Sequence, residues 1–100
     1  MSKSISELNK ETAKQKGYEE QSNQLVEECA ELIQAVSKYR RATTDVAKMM
    51  AFENIIEEIA DVEIMIEQVK YLLQIPAEEL EAVKLYKVNR TRDRIANKGA

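Results

Sequence analysis

Two acidic hexapeptides, Glu27 to Leu32 (EECAEL) and Glu57 to Val62 (EEIADV), stand thirty residues apart in a chain of 100. When the alignment is extended to nine residues, Gln24–Leu32 against Asn54–Val62, every position pairs amide with amide, apolar with apolar or acid with acid. Carboxylates are hard oxygen donors, and a group of them suits Mg²⁺ or Mn²⁺, whose coordination is completed by water or phosphate oxygens. The chain has no histidine and one cysteine, Cys29, which argues against a zinc site and against any internal disulfide. The missing histidine also argues against a ferritin-like di-iron bundle, which is built on Glu-x-x-His pairs.

Helix geometry decides which acids can share a face. Leu25, Cys29, Leu32 and Val36 fall on one apolar stripe and Ile55, Ile59, Val62 and Ile66 on its counterpart, and both stripes are expected to face a core. Glu28 and Glu31 line one edge of the first stripe, and Glu58 and Asp61 line the same edge of the second. Antiparallel packing of the two stripes would therefore bring four carboxylates together. Glu27 and Glu57 point further toward solvent. The ordinary explanation of surface glutamates is a solvated helix face laced with ion pairs. It fits poorly here, because no lysine or arginine occurs from Glu19 to Ser37 or from Glu53 to Val69. Glu27 with Glu31, and Glu57 with Asp61, are like-charge i,i+4 pairs, each destabilising by roughly a few tenths of a kcal/mol. A bound cation would offset that repulsion.

The elements that must position these acids are helices. Two glycines and one proline leave little punctuation for strands and turns, while Ala, Leu, Glu, Lys, Gln and Ile dominate. The pattern predicts a short helix over about 4–16, ended by Gly17, then helices near 18–40, 45–74 and 77–95. Thr44 or Asp45 is the expected N-cap after the RRATTDV loop, and Pro76 separates the last two helices. Residues 97–100 are expected to fray. Short connections suggest a compact four-helix bundle, all-α, in a single domain spanning 1–100. A chain of this size buries a modest fraction of its surface, so association into a homodimer or homotetramer is the expected way to complete its core.

Bulk properties bound the alternatives. Apolar residues make up 44% and charged residues 33%, an ordinary globular balance, and no apolar run is long enough to span a membrane. The first twenty residues are polar and charged rather than signal-like, so a cytoplasmic location is expected. The net charge of −3 argues against a general nucleic-acid binder.

The arrangement EExxE (Glu27, Glu28, Glu31), a spacer of 26 residues, then ExxD (Glu58, Asp61) resembles the signature of the MazG-like all-α nucleoside triphosphate pyrophosphohydrolases. The flanking text, GYEEQSNQLVEECAELIQAVSKY and NIIEEIADVEIMIEQVKYLL, is similar to the same family. The likeness covers about residues 13–95, leaving 1–12 and 97–100 peripheral. It implies Mg²⁺-dependent hydrolysis of an NTP or dNTP between the α and β phosphates, giving a monophosphate and pyrophosphate. The role implied is house-cleaning of unusual nucleotides or control of a nucleotide pool, with Mn²⁺ a workable substitute. The family's metal ligands fall on Glu28, Glu31, Glu58 and Asp61, the four that helical geometry selects independently. Glu27 is the candidate general base or a group that steadies the ligands.

A triphosphate also calls for cations from the protein. Lys84, Lys87, Arg90, Arg92, Arg94 and Lys98 fall within fifteen residues, interrupted only by Asp93. By resemblance, KVNRTRDRI brings Lys87, Asn89 and Arg90 to the phosphates. A solvated basic tail that complements the helix dipole explains the same residues about equally well. Gln21 and Gln24 are candidate nucleotide contacts. Tyr18, Tyr39, Phe52 and Tyr71 are possible stacking partners, although aromatic residues at helical spacing more often fill cores. Met49, Met50 and Met65 suit core or interface filling, and Cys29 is expected to behave as a small apolar residue. The competing reading is a non-enzymatic helical interaction or oligomerisation module whose acidic face binds a basic partner.

Overall fold

The computed structural model describes residues 2–99, and they form four helices: α1 (Ile5–Lys16), α2 (Tyr18–Arg41), α3 (Asp45–Leu72) and α4 (Ala77–Gly99). The local chemistry explains each boundary. Ser4 caps α1 through a reciprocal box in which its hydroxyl accepts from the Glu7 N–H and the Glu7 carboxylate accepts from the Ser4 N–H. Gly17 separates α1 from α2 with φ 87° and ψ 168°, a conformation essentially reserved for glycine. Thr44 is the cap of α3, its hydroxyl accepting from the Ala47 N–H. At the other end of α3, Gln74 N–H donates to Tyr71 O and Ile75 N–H to Lys70 O, with Gln74 at φ 54°. These are the paired bonds of a Schellman stop, and Pro76 follows directly. The final helix extends to Gly99, and residue 100 of the segment expected to fray lies outside the described residues.

The three-helix body is α2 packed antiparallel on α3, with α1 packed chiefly on α3. Among the described residues the fourth helix packs against none of the others, so the expected compact packing of all four is not found. The Cα radius of gyration is 17.5 Å, against about 13 Å for a compact 100-residue domain. Sequence pattern explains the difference: on α4 the apolar side chains Val83, Leu85, Tyr86, Val88 and Ile95 are scattered around the helix rather than gathered on one face, and all are exposed.

The seam between α2 and α3 is a heptad seam. On α2 it runs through Gln21, Leu25, Glu28, Leu32 and Ala35, and on α3 through Ile55, Glu58, Val62, Met65, Val69 and Leu72, all buried or half-buried. It is rotated slightly from the expected stripes, so Val36, Ile59 and Ile66 stand exposed. Buried apolar residues are few among those described: Ala13, Ala35, Val62 and Met65. Tyr18, Tyr39 and Phe52 do not fill this core, and neither do Met49 and Met50. A chain of buried amides joins the three helices instead. Gln21 Nε2 donates to Gln68 Oε1 at 2.6 Å, and Gln68 Nε2 donates to Asn9 Oδ1 at 3.0 Å.

Candidate functional site

Antiparallel packing sets α2 against α3 in a register where paired residue numbers have a constant sum. Gln21 meets Gln68, Glu28 meets Asp61, and Glu31 meets Glu58. The acid pairs Glu28–Asp61 and Glu31–Glu58 lie about 10 Å and about 15 Å along the seam from the amide pair, two to three turns of helix. As a result, Glu28, Glu31, Glu58 and Asp61 each place an oxygen within 4.8 Å of every other, the convergence that the helical wheel anticipates.

Glu28 and Glu58 occupy seam positions where an apolar side chain would normally pack, and both are half-buried, as is Asp61, while Glu31 is more exposed. Glu28 Oε1 accepts a 2.8 Å hydrogen bond from Gln24 Nε2. That bond draws the Glu28 pKa down, but desolvation and the carboxylates of Asp61 and Glu31 outweigh it, leaving the group above the ordinary glutamate range. Glu58 is raised as well, first by desolvation and then by Glu31, with Asp61 and Glu28 adding to the effect. The second oxygens, Glu28 Oε2 and Glu58 Oε2, are buried without any hydrogen-bond partner. Orphaned carboxylate oxygens held among like charges are an unfavourable arrangement that a cation would relieve.

The remaining candidate residues are dispersed. Glu27 is exposed on α2. Gln24 belongs to the cluster through its bond to Glu28. Gln21 is only 4% exposed, and its Nε2 is committed to Gln68. Lys87, Asn89 and Arg90 lie exposed on α4, apart from the acidic cluster, with the Arg90 guanidinium 5.8 Å from the Tyr86 ring centroid. Cys29 is half-buried beside Glu28 in the sequence. Two features escaped sequence reasoning: the Asn9–Gln68–Gln21 chain and a basic cavity between α1 and the end of α3. The first had a legible signal, since Gln21 and Gln68 each stand seven residues from an acid of the cluster, on the same heptad position.

Among known proteins, no family model matches the chain, and no curated protein and no solved structure matches it. No helix among the described residues is long and apolar enough to cross a membrane.

Proposed function

We propose that this protein is a divalent-cation-dependent hydrolase that converts a nucleoside or deoxynucleoside triphosphate to the monophosphate and pyrophosphate, as its resemblance to the MazG-like pyrophosphohydrolases implies. The observation that carries the reading is the convergence of four carboxylates within 4.8 Å, two of them with buried, unpartnered oxygens. The donor set fits the cation: all oxygen, no nitrogen or sulfur, as Mg²⁺ and Mn²⁺ prefer. Opposed ligands in a Mg²⁺ octahedron stand about 4.2 Å apart, so the group needs to contract only slightly. Such an ion supplies charge neutralisation for the triphosphate and acidity for the attacking water.

The chain's own residues then divide the work. Glu28, Glu31, Glu58 and Asp61 hold the ion, and the Gln24 amide fixes the Glu28 carboxylate from one side. Glu27, facing solvent one residue before Glu28, is the candidate base. Gln21 serves from the interior, fixing helix register through Gln68 rather than touching substrate. Lys87, Asn89 and Arg90 are assigned to the phosphates. Because α4 stands clear of its own three-helix body, they reach a cluster through association of chains.

Surface area supports a homodimer or homotetramer. The chain exposes 8237 Å², whereas a compact protein of 11.5 kDa exposes about 5,800 Å². The excess of roughly 2,400 Å² comfortably exceeds the 800 Å² per partner of a standard interface. House-cleaning or nucleotide-pool control in the cytoplasm is the role that follows.

A helical interaction module is the second reading, favoured by the unpacked α4 with its exposed Leu85, Val88 and Ile95. One assay separates the two: pyrophosphate release from a panel of canonical and modified NTPs and dNTPs with Mg²⁺ or Mn²⁺, beside Glu58→Gln. Release by the parent and silence of the variant support the hydrolase. Silence of both, with no metal-dependent rise in melting temperature, would overturn it in favour of the module.

A further inference from the structure

A cavity of about 820 Å³ opens between α1, the C-terminal turn of α3 and the connection to α4, well separated from the acidic cluster. From Asp61 to Lys70 the distance along α3 is about 13 Å, and the two residues point to opposite sides of the helix. The cavity's chemistry is the reverse of the cluster's. Lys10, Lys14 and Lys70 line it against a single carboxylate, Glu67. None of the three lysines makes an ion pair among the described residues, where the salt bridges are Lys3–Glu11 and Lys16–Glu20. Lys10 Nζ and Lys14 Nζ each lie 6.0 Å from the centroid of the Tyr71 ring, which gathers two positive charges at one wall.

A second, independent observation points to a ligand. Asn9 lines the same cavity, is 7% exposed, and its Nδ2 has no hydrogen-bond partner. Its Oδ1 accepts from Gln68 Nε2, and Gln68 Oε1 in turn accepts from Gln21 Nε2, so in this orientation the amide chain ends in an unused N–H donor. A buried donor without an acceptor is unfavourable by itself; the Nδ2 atom is enclosed, so an incoming oxygen would satisfy it once the Asn9 amide turns toward the cavity that it lines.

We propose that this cavity binds an organic phosphate monoester. Three lysines less one glutamate leave two positive charges, matching a monoester that carries about −1.5 to −2 at neutral pH and presents three strong acceptor oxygens. The volume lies within the range of small-ligand sites. Tyr71 and Ile75 supply an apolar wall for the organic part, which free phosphate would leave uncovered. The Schellman stop at Gln74 places Ile75 there, so the wall is built from backbone hydrogen bonds rather than from a mobile loop. The proposal is independent of what the acidic cluster does.

The test is titration of the full-length, ¹⁵N-labelled chain with adenosine monophosphate, inorganic phosphate and adenosine, in EDTA so that no metal bridges phosphate to the acidic cluster. The Asn9 side-chain amide and the backbone resonances of Lys70 and Tyr71 are followed. Adenosine monophosphate should shift them saturably and more tightly than either fragment. Lys10→Gln/Lys14→Gln, two exposed positions, should weaken it about tenfold or more with an unchanged melting temperature. Lys70→Gln should weaken it in the same direction. The assignment is overturned if the shifts fall on α4 instead, if the double variant binds as the parent does, or if inorganic phosphate binds as tightly as the monoester.

Discussion

Replacing Gln68 by leucine tests the idea that buried amides, rather than apolar contacts, set the register of the acidic cluster. Gln68 is 4% exposed, and its amide bonds to Gln21 on α2 and Asn9 on α1. Leucine keeps the volume but leaves Gln21 Nε2 and Asn9 Oδ1 buried without partners. Each orphan destabilises by about 1–3 kcal/mol, and burying the apolar side chain returns about 2 kcal/mol at most. The two orphans together destabilise by about 2–6 kcal/mol, so the net loss spans about 0–4 kcal/mol, and its midpoint of about 2 kcal/mol lowers the melting temperature by about 8–16 °C in a chain of this length. Urea and thermal melts followed by circular dichroism, at fixed protein concentration because association shifts stability, read this directly. The triple variant Asn9→Leu/Gln21→Leu/Gln68→Leu removes every orphan and should recover most of the stability. It should nevertheless bind Mg²⁺ more weakly than the parent, since leucines along a heptad seam no longer favour one register over its neighbours. Two results would refute this reasoning: a single variant as stable as the parent, or a triple variant with undiminished metal-dependent stabilisation.

The raised pKa values of Glu28 and Glu58 predict a sign for pH dependence. The folded state binds protons more tightly than the unfolded chain, so metal-free stability should fall as pH rises from the ordinary glutamate pKa through the raised folded values; denaturant melts across that window check it. Adding Mg²⁺ above the window should reverse the loss. Glu58→Gln should raise the metal-free melting temperature by removing one of four mutually repelling charges, while abolishing both the Mg²⁺-dependent rise and pyrophosphate release. Gly17→Ala should destabilise by about 1–3 kcal/mol through backbone strain alone, because an added Cβ at φ 87° meets no atom within 4 Å. Gln74→Gly, at φ 54°, should have the opposite sign and stabilise by up to about 1 kcal/mol in the same melts.

The helices were legible because their signals are local. Ser4, Gly17, Thr44 and Pro76 punctuate the chain at the boundaries observed, each through a cap, a backbone conformation or a missing donor within a few residues. The convergence of Glu28, Glu31, Glu58 and Asp61 was legible too, because periodicity fixes a helix face and the constant offset of thirty fixes both faces at once. The placement of α4 was not. Whether a helix docks depends on a continuous apolar stripe finding a complementary surface, and α4 interleaves Leu85, Val88 and Ile95 with Lys84, Lys87, Arg92 and Arg94. The stripes on α2 and α3 were misplaced by a small rotation for a related reason. Hydrophobicity marks Val36, Ile59 and Ile66 as interior, but the observed seam carries Gln21, Glu28 and Glu58, with Gln68 buried beside it, all of which a hydropathy pattern scores as exterior.

That seam joins the stability of the fold to the chemistry of the site. Polar residues at heptad core positions weaken a helix pair and at the same time restrict its register, because a displaced pairing would set amides and carboxylates against apolar neighbours. Here the amide pair Gln21–Gln68 is satisfied within the chain, whereas the acid pairs Glu28–Asp61 and Glu31–Glu58 are not. An apolar substitution at Glu28 or Glu58 would remove an orphaned oxygen and a like-charge contact together, so a purely structural seam would gain by it. Two acids in the half-buried interior, two to three turns from an amide pair that aligns them, make sense where a cation completes the arrangement. The same logic distinguishes them from Glu27 and Glu57, which face solvent and can be neutralised with little effect on stability.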